Sequence, residues 1–250
     1  MGRAEREPEH IDEFQQQQGM IYFSTRLRNL WFLIRHAHFS LLARKIATRL
    51  YSNKYSYGLR RDLGIRFRAP EPPFALTIRP LCCDDVSRIF DLRRPGQHPD
   101  FVEELIDRLE HVHADIPTCY VALNDKGDPV FIQWLMGPEQ NKRIQSYFNG
   151  IYPILAEDEA LLENGLTLDG YRAQGVMGAA VARIAEIGKT RGLNTVITFV
   201  GEHNGPSLRG CIRAGFTPYL VRHERWMLFR RKLEFSRFPG LARLPDEFLD

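Results

Sequence analysis

The sequence has little cysteine, and its cysteines lack the spacing of a metal site or a disulfide framework. The 250 residues contain four cysteines, none in a Cys-x-x-Cys pair: Cys82, Cys83, Cys119 and Cys211. Reduced thiols in a cytoplasmic protein are therefore expected. Several histidines lie two residues apart, a spacing that does not share a helix face: His36 and His38, and His111 and His113. No acidic cluster accompanies them, so no metal site is predicted.

Long hydrophobic runs are also missing. A membrane-spanning helix needs about 20 apolar residues, whereas the most hydrophobic stretch, residues 29–34, is bounded by Arg28 and Arg35. The first 18 residues are polar and acidic, which is not the pattern of a secretory signal. A membrane-spanning or secreted protein is therefore not expected. Hydrophobic residues make up 44% of the chain, which is enough for a globular core.

Acidic residues are scarce in one part of the chain. Residues 20–68 contain eleven Lys or Arg and a single acid, Asp62. This stretch carries +10, which leaves −7 for the remainder of a chain whose net charge is +3. A basic extension on an acidic body suggests an anionic partner, either a membrane surface or a nucleic acid. A solvated charged face without a partner is the alternative.

The same stretch has the composition of an amphipathic helix. Residues 20–50 contain no proline, and most of their apolar residues share one face, while Phe32, Leu33 and Phe39 fall outside it. Packing of this face on the rest of the protein and binding to an anionic membrane both stay open. Nucleic acid is disfavoured, because it rarely needs so many aliphatic side chains.

Three prolines, Pro70, Pro72 and Pro73, mark the boundary that follows. The predicted organisation is a disordered tail (1–19), a basic amphipathic helical extension (20–69), a larger domain (70–235) and a C-terminal tail (236–250). Within the domain, strands are predicted at 75–80, 119–124, 129–136, 160–168, 194–200, 216–221 and 226–235, and helices at 84–92, 99–111, 175–191 and 207–214. This order predicts an α+β fold, with a mixed, mostly antiparallel central sheet and flanking helices.

One segment joins a predicted strand directly to a helix: Leu166-Thr-Leu-Asp-Gly-Tyr-Arg-Ala-Gln-Gly-Val-Met-Gly-Ala-Ala180. The free N–H groups and the dipole of the first helical turn suit a pyrophosphate. Gly175 lets the backbone approach the phosphates, and Arg172 adds positive charge. Neither the Gly-Lys-Ser/Thr of a P-loop nor a Gly-x-Gly-x-x-Gly fingerprint is present.

About 30 residues later comes Asn204-Gly-Pro-Ser-Leu-Arg-Gly-Cys-Ile-Arg-Ala-Gly-Phe216. Together the two segments resemble the GNAT superfamily of acyl-CoA-dependent N-acyltransferases. Tyr171-Arg-Ala-Gln-Gly175 resembles its Arg/Gln-x-x-Gly-x-Gly/Ala loop, and Asn204, Ser207 and Gly215-Phe216 resemble its Asn-x-x-Ser/Ala…Gly-Phe segment. The resemblance covers about residues 75–235 and implies a GNAT-like sheet preceded by the helical extension.

The resemblance implies where acyl-CoA binds. The backbone near Leu166 and Leu168 would pair with the pantetheine arm, and the amides of residues 174–179 would hold the pyrophosphate. Met177 stands where the family most often has Gly or Ala, which a backbone contact tolerates. The full implied set is Leu166, Leu168, Arg172, Gln174, Gly175, Val176, Met177, Gly178, Ala179, Asn204 and Ser207.

The catalytic residues are less clearly marked. Many family members carry a tyrosine seven residues after the asparagine, where it protonates the departing CoA thiolate; this chain has Cys211 there. N-acyl transfer also needs a base for the incoming ammonium. By analogy with the family, Glu163 on the fourth strand is the best placed candidate, and Glu202 and His203 are the others.

The resemblance implies an N-acetyltransferase that moves an acetyl group from acetyl-CoA to a primary amine of a small molecule or protein, without a metal. Two alternatives stay open: a long-chain N-acyltransferase that acts near a membrane surface, and a non-catalytic acyl-CoA-binding sensor. The expected partners are acyl-CoA, an amine acceptor and, through residues 20–50, an anionic membrane. A homodimer is left open, and the expected location is cytoplasmic, with peripheral membrane contact as an option.

Overall fold

A computed structural model describes residues 39–92 and 94–239. The expected disordered tail, most of the predicted helix over residues 20–50 and the last eleven residues lie outside the described part. None of the helices in that part is long and apolar enough to cross a membrane.

The described chain contains six helices and eight strands. The helices are α1 (Phe39–Leu50), α2 (Cys83–Ile89), α3 (Pro99–His113), α4 (Asn141–Tyr147), α5 (Val176–Thr190) and α6 (Gly205–Arg213). The strands are β1 (Tyr51–Asp62), β2 (Thr77–Pro80), β3 (Cys119–Leu123), β4 (Pro129–Met136), β5 (Glu159–Thr167), β6 (Thr195–Gly201), β7 (Thr217–Met227) and β8 (Arg230–Arg237). A single 3₁₀ turn, Pro138–Gln140, precedes α4.

All eight strands form one sheet in the order β2-β3-β4-β5-β6-β1-β7-β8. Neighbouring strands are antiparallel except β5 and β6, which are parallel and joined by α5. The prediction of an α+β fold with a mixed, mostly antiparallel sheet is therefore confirmed. α1 also confirms that the C-terminal part of residues 20–50 is helical.

The first strand is the main difference from the expected organisation. Residues 51–62, expected within the helical extension, form β1 and lie between β6 and β7. Tyr55, Tyr57 and Leu59 alternate with smaller or polar residues, a period-two pattern that suits a strand. The pattern was missed because the charge of the stretch suggested a separate surface element.

One basic side chain of this strand is internal. Arg61 is 2% exposed, donates to the Ala182 carbonyl of α5 at 2.9 Å and forms an ion pair with Glu186. A buried cation without such partners would be strongly destabilising. These contacts of Arg61 therefore bind β1 to α5. The Arg61 charge, one of the eleven in the basic stretch, is thus not available to an anionic partner.

Two apolar layers cover the sheet. The first packs α5 and α6 against residues such as Phe131, Leu162 and Val200. The second packs α2, α3 and α4 against the opposite face, around Trp134 and Ile197. These two layers fix the positions of β5 and β6, which carry the candidate site.

Small residues let α5 and α6 approach closely. A Cβ at Gly178 would lie 3.3 Å from the Gly210 carbonyl, and a Cβ at Gly210 would lie 2.9 Å from the Met177 sulfur. Two other glycines mark the ends of α5: Gly175 and Gly192 have φ of +74° and +81°, which favour glycine. The tight packing explains why nine positions of this helix are buried.

Candidate functional site

The central feature of the site is the point where β5 and β6 separate. The two strands pair only from Glu159 with Thr195 to Leu162 with Thr198. Beyond that point β6 continues beside β1, and β5 stays paired with β4 on its other side. In the described part of the chain, no strand pairs with the β6-facing edge of residues 163–167. Two carbonyls of this edge accept from side chains: Gly165 from Arg108 at 3.2 Å and Thr167 from Arg172 at 3.4 Å. A ligand that pairs with this edge therefore shares these two carbonyls with arginine side chains.

A β-bulge lies at the start of this open edge. Glu163 pairs with Trp134 and Leu166 pairs with Ile132, so β5 has two residues between these pairs where β4 has one. Asn164 takes the left-handed conformation, with φ of +57°. A bulge bends its strand and increases the local twist. It therefore turns β5 away from β6 directly after their last pair.

Glu163 is the first residue beyond that last pair. It lies on the same face of β5 as Leu161, two residues earlier, and so faces the second apolar layer. Its Oε2 atom is shielded from solvent and has no hydrogen-bond partner among the described residues. Burial raises the pKa of this carboxyl, while the charge of Arg222 and a hydrogen bond from Tyr152 act in the opposite direction.

Tyr152 and Arg222 complete this cluster, and sequence reasoning missed both. Arg222 of β7 donates to the Ile151 carbonyl at 3.1 Å and to the Ser56 hydroxyl at 3.2 Å. Its guanidinium also lies 5.3 Å from the Tyr152 ring. Burial raises the pKa of Tyr152, and the nearby Glu163 charge adds to the effect. Finding these residues requires the β1–β7 register, in which Ser56 faces Arg222, and β1 was not predicted.

The predicted phosphate loop connects β5 to α5. Gly175 precedes the first residue of α5, and no atom lies within 4 Å of where its Cβ would be. Its neighbour Gln174 is exposed and donates to the Gly170 carbonyl at 2.7 Å. The first N–H groups of an α-helix have no partner within the helix. The loop therefore offers open space and backbone donors, both of which an anion requires.

The Arg172 side chain is held by other residues and not by the open space beside Gly175. Its guanidinium binds Glu104 of α3 at 2.8 Å, lies 3.8 Å from Asp169 and sits 5.0 Å from the Phe101 ring. Two carboxylates thus already balance its charge. Arg172 could meet a phosphate only by leaving Glu104, so the amides are the better supported part of the predicted loop.

The other predicted residues of this loop are buried or packed against α6. Val176, Gly178 and Ala179 are buried, and Met177 packs over Gly210 of α6. The side chains of Val176, Met177 and Ala179 thus serve packing. The Ala179 amide already donates to the Gly175 carbonyl at 3.3 Å, so only the amides of residues 176–178 could reach a ligand. Leu166 is likewise 3% exposed, in the second apolar layer.

α6 holds the remaining predicted residues: Asn204 directly precedes it, and Ser207 and Cys211 lie within it. Asn204 caps the helix, and its Oδ1 accepts from the Ser207 amide at 3.2 Å. Cys211 is 1% exposed, in the first apolar layer. Burial, with a smaller contribution from Glu163, raises the pKa of its thiol to about 12. A thiolate of ordinary pKa, about 8.5, binds a proton less strongly than Cys211 does. Proton donation from Cys211 to such a thiolate is therefore unfavourable by about 3.5 pKa units, and its catalytic role stays a prediction.

The remaining base candidates lie outside the cluster. Glu202 and His203 follow the end of β6, and the His203 side chain is 95% exposed, 3.5 Å from Glu202. Among the described residues, no group of three His, Cys, Asp or Glu could hold a metal ion. Glu163 is thus the one predicted base that the structure brings to the point where β5 and β6 separate.

Comparisons with known proteins identify the fold. No family model and no curated protein matches the sequence. Among solved structures, the chain is similar to a fungal GCN5-related glucosamine N-acetyltransferase region of a multidomain GH3 β-N-acetylglucosaminidase. The identity is 13%, the TM-score is 0.52, and the match covers 79% of this chain and 23% of that one.

Two bacterial structures are also similar. A GNAT-family acetyltransferase from Colwellia psychrerythraea has 11% identity and a TM-score of 0.43, over 77% of this chain and 59% of that one. A GCN5-related N-acetyltransferase from Sphaerobacter thermophilus has 16% identity and a TM-score of 0.42, over 80% and 57%. The chain spans 56% and 66% of the first two solved structures it matches. The chain has the GNAT fold, as the two sequence segments predicted.

Proposed function

We propose that the chain is an N-acyltransferase that moves an acetyl group from acetyl-CoA to a primary amine of a small molecule or protein. The observation that carries the proposal is the separation of β5 from β6, with Glu163 at the first position beyond their last pair. This arrangement brings an open backbone edge, a carboxylate and a helix N-terminus to one end of β5.

The donor side of the proposal rests on two backbone features. The open edge over residues 163–167 could pair with the amide groups of a pantetheine arm, as an added strand pairs with a sheet edge. The first-turn amides of α5, behind Gly175, could bind the pyrophosphate. When bound, acetyl-CoA supplies the activated acyl group. The protein holds and orients it.

The acceptor side of the proposal rests on Glu163. An amine must lose a proton before it can attack a carbonyl carbon, and a nearby carboxylate can accept that proton. A raised pKa brings a carboxylate closer to the proton affinity of an amine, and Oε2 of Glu163 has no competing hydrogen bond among the described residues. Tyr152 and Arg222 then act as positioning residues that hold the carboxylate on one face of the sheet.

The test combines binding with turnover. CoA is expected to raise the melting temperature, because a ligand that binds only the folded state stabilises it. Release of free CoA from acetyl-CoA is then measured across a panel of amines. Glu163→Gln should lower kcat by about 10²–10⁴-fold and leave the CoA-dependent shift intact. The wild-type rate should rise as pH increases through the raised pKa of Glu163, because only the ionised carboxylate accepts a proton.

Glu202→Gln is the matched control, because it removes a half-buried carboxylate that lies beyond the end of β6 and outside the Glu163 cluster. An unchanged rate in Glu163→Gln would reject the assigned base. A CoA shift without turnover of any amine would favour the sensor over the enzyme. No shift at millimolar CoA would reject the donor site itself.

A further inference from the structure

The hairpin between β7 and β8 ends in an unusual turn. Met227 pairs with Arg230, so Leu228 and Phe229 form a two-residue turn in which both have positive φ, +47° and +63°. Such turns strongly prefer Asn and Gly, because a side chain is strained in that conformation. Leu228 is nevertheless 71% exposed and Phe229 57% exposed. The turn thus keeps two large apolar side chains in water at a position where small polar residues would fold better.

The end of α1 lies directly against this turn. The amides of Leu228 and Phe229 donate to the carbonyls of Leu50 and Arg49, each at 2.8 Å. These bonds satisfy carbonyls that a helix C-terminus leaves free. They also fix the turn beside further exposed apolar side chains. The resulting hairpin surface consists of Ile46, Leu50, Tyr51, Met227, Leu228 and Phe229.

Cations surround the hairpin surface. Arg225, Arg230, Arg231 and Lys232 line one hollow with Met227 and Leu228, and the Arg49 carbonyl accepts from the Phe229 amide. Arg49 and Arg231 lie over the Trp226 ring, at 5.6 Å and 5.9 Å. Two carboxylates stand nearby: Glu224 lies 4.0 Å from Arg231, and Glu234 binds Lys232 at 2.7 Å and lies 3.6 Å from His223. The five cations outnumber these two carboxylates, so the net charge around the hairpin surface is positive.

We propose that the hairpin surface binds an anionic lipid bilayer, with Leu228 and Phe229 inserted at the interface and the surrounding cations at the lipid headgroups. Apolar side chains inside a basic surround match the interface of an anionic membrane, which is apolar below a layer of negative charge. A nucleic acid would use the cations but would gain little from an aliphatic tip. The surface shares only the end of α1 with residues 20–50 and does not depend on the acyltransferase activity.

The decisive variant changes the turn alone. In Leu228→Asn/Phe229→Gly, the pair preferred in this turn replaces the apolar tip, so the hairpin is expected to stay folded. Co-sedimentation of the full chain is measured with vesicles of phosphatidylserine and phosphatidylcholine, and with phosphatidylcholine alone. The variant should partition at least tenfold less onto the anionic vesicles, because two apolar side chains no longer leave water. Ile65→Ser/Ile154→Ser is the matched control: it removes side chains that are 66% and 74% exposed elsewhere.

A second pair of variants tests the charge. Arg225→Gln/Arg230→Gln/Lys232→Gln should lower binding about a hundredfold, since each cation near an anionic membrane contributes roughly fivefold. Lys126→Gln/Lys142→Gln/Lys189→Gln, with the same change of charge on other exposed positions, should keep binding within about threefold.

Three outcomes would overturn the proposal. They are a full chain that does not sediment with anionic vesicles, a turn variant that binds as well as the wild type, and equal binding to neutral vesicles. An oligonucleotide that displaces the wild type while the turn variant still binds vesicles would assign the cations to nucleic acid instead.

Discussion

Acid should destabilise this protein through one buried histidine, His111 of α3. Its ring is 8% exposed and packs against Trp134 and Phe148, with centroid distances of 5.4 and 5.3 Å. Burial lowers the pKa of His111 from 6.5 to about 4, and the charge of Arg108 adds to the effect. Nδ1 donates to the Asp107 carbonyl at 2.8 Å, so the neutral ring has Nε2 free to accept from the Asn164 amide. Protonation would place a hydrogen on Nε2 as well and break that contact.

The size of the effect follows from the two pKa values. His111 takes up a proton near pH 6.5 in the unfolded chain and only near pH 4 in the folded chain. The free energy of unfolding therefore has its full value above pH 6.5 and falls as the pH decreases from 6.5 to 4. At 1.36 kcal/mol for each pKa unit, the loss approaches about 3 kcal/mol below pH 4 and is about 2 kcal/mol at pH 5. That is a large part of the 5–15 kcal/mol that stabilises a typical domain.

Urea denaturation of the wild type and His111→Gln at pH 7.5 and pH 5 measures this loss. The variant is expected to be less stable at pH 7.5, because it loses ring packing. The difference between the two proteins should shrink by about 2 kcal/mol at pH 5, since glutamine does not titrate. Carboxylates that titrate in both proteins cancel in the comparison. His203→Gln removes a ring that is 95% exposed and controls for the loss of any histidine. A difference that stays constant between the two pH values would refute the reasoning.

Two further predictions concern the donor loop and the first strand. Gly175→Val should weaken CoA binding at least tenfold, because a β-branched residue resists a φ of +74° and blocks the backbone's approach to the phosphates. The CoA-dependent shift in melting temperature measures the loss, and Gly175→Ala is the milder control. Equal affinity in a folded Gly175→Val protein would show that this loop is not the phosphate site. A chain that begins at Pro70 should aggregate, because it lacks β1, whereas one that begins at Phe39 should give a monodisperse peak in size-exclusion chromatography. A folded chain from Pro70 would contradict the central place of β1.

Much of the fold could be predicted because its signals are local. The bounds of β4, Pro129–Met136, agree with the prediction, since an apolar run follows a turn. That turn ends at Gly127, which has a φ of +77° as hairpin chemistry requires. Gly175 and Gly192 likewise mark the ends of α5. Each of these features depends on residues a few positions apart, and sequence alone contains them.

The missed features depend on distant residues. No helix is predicted for the segment that contains α4, because no strong periodicity marks its seven residues. Glu163 was predicted because the family resemblance places it on the fourth strand. Tyr152 and Arg222 were not, since their contact with Glu163 arises only when a strand from the N-terminal segment enters between β6 and β7.

The position of β1 links the two surfaces proposed for this protein. α1 passes into β1 without a connecting residue, from Leu50 to Tyr51. Tyr51 belongs to the hairpin surface, and Ser56, five residues further along the same strand, holds Arg222 beside Glu163. At about 3.3 Å for each residue of a strand, roughly 17 Å separates them. Deleting residues 1–69 would therefore remove part of the hairpin surface, a central strand and the Ser56 contact of Arg222 together. Point substitutions in the turn, such as Leu228→Asn/Phe229→Gly, separate the proposed membrane binding from folding and from the proposed acyl transfer.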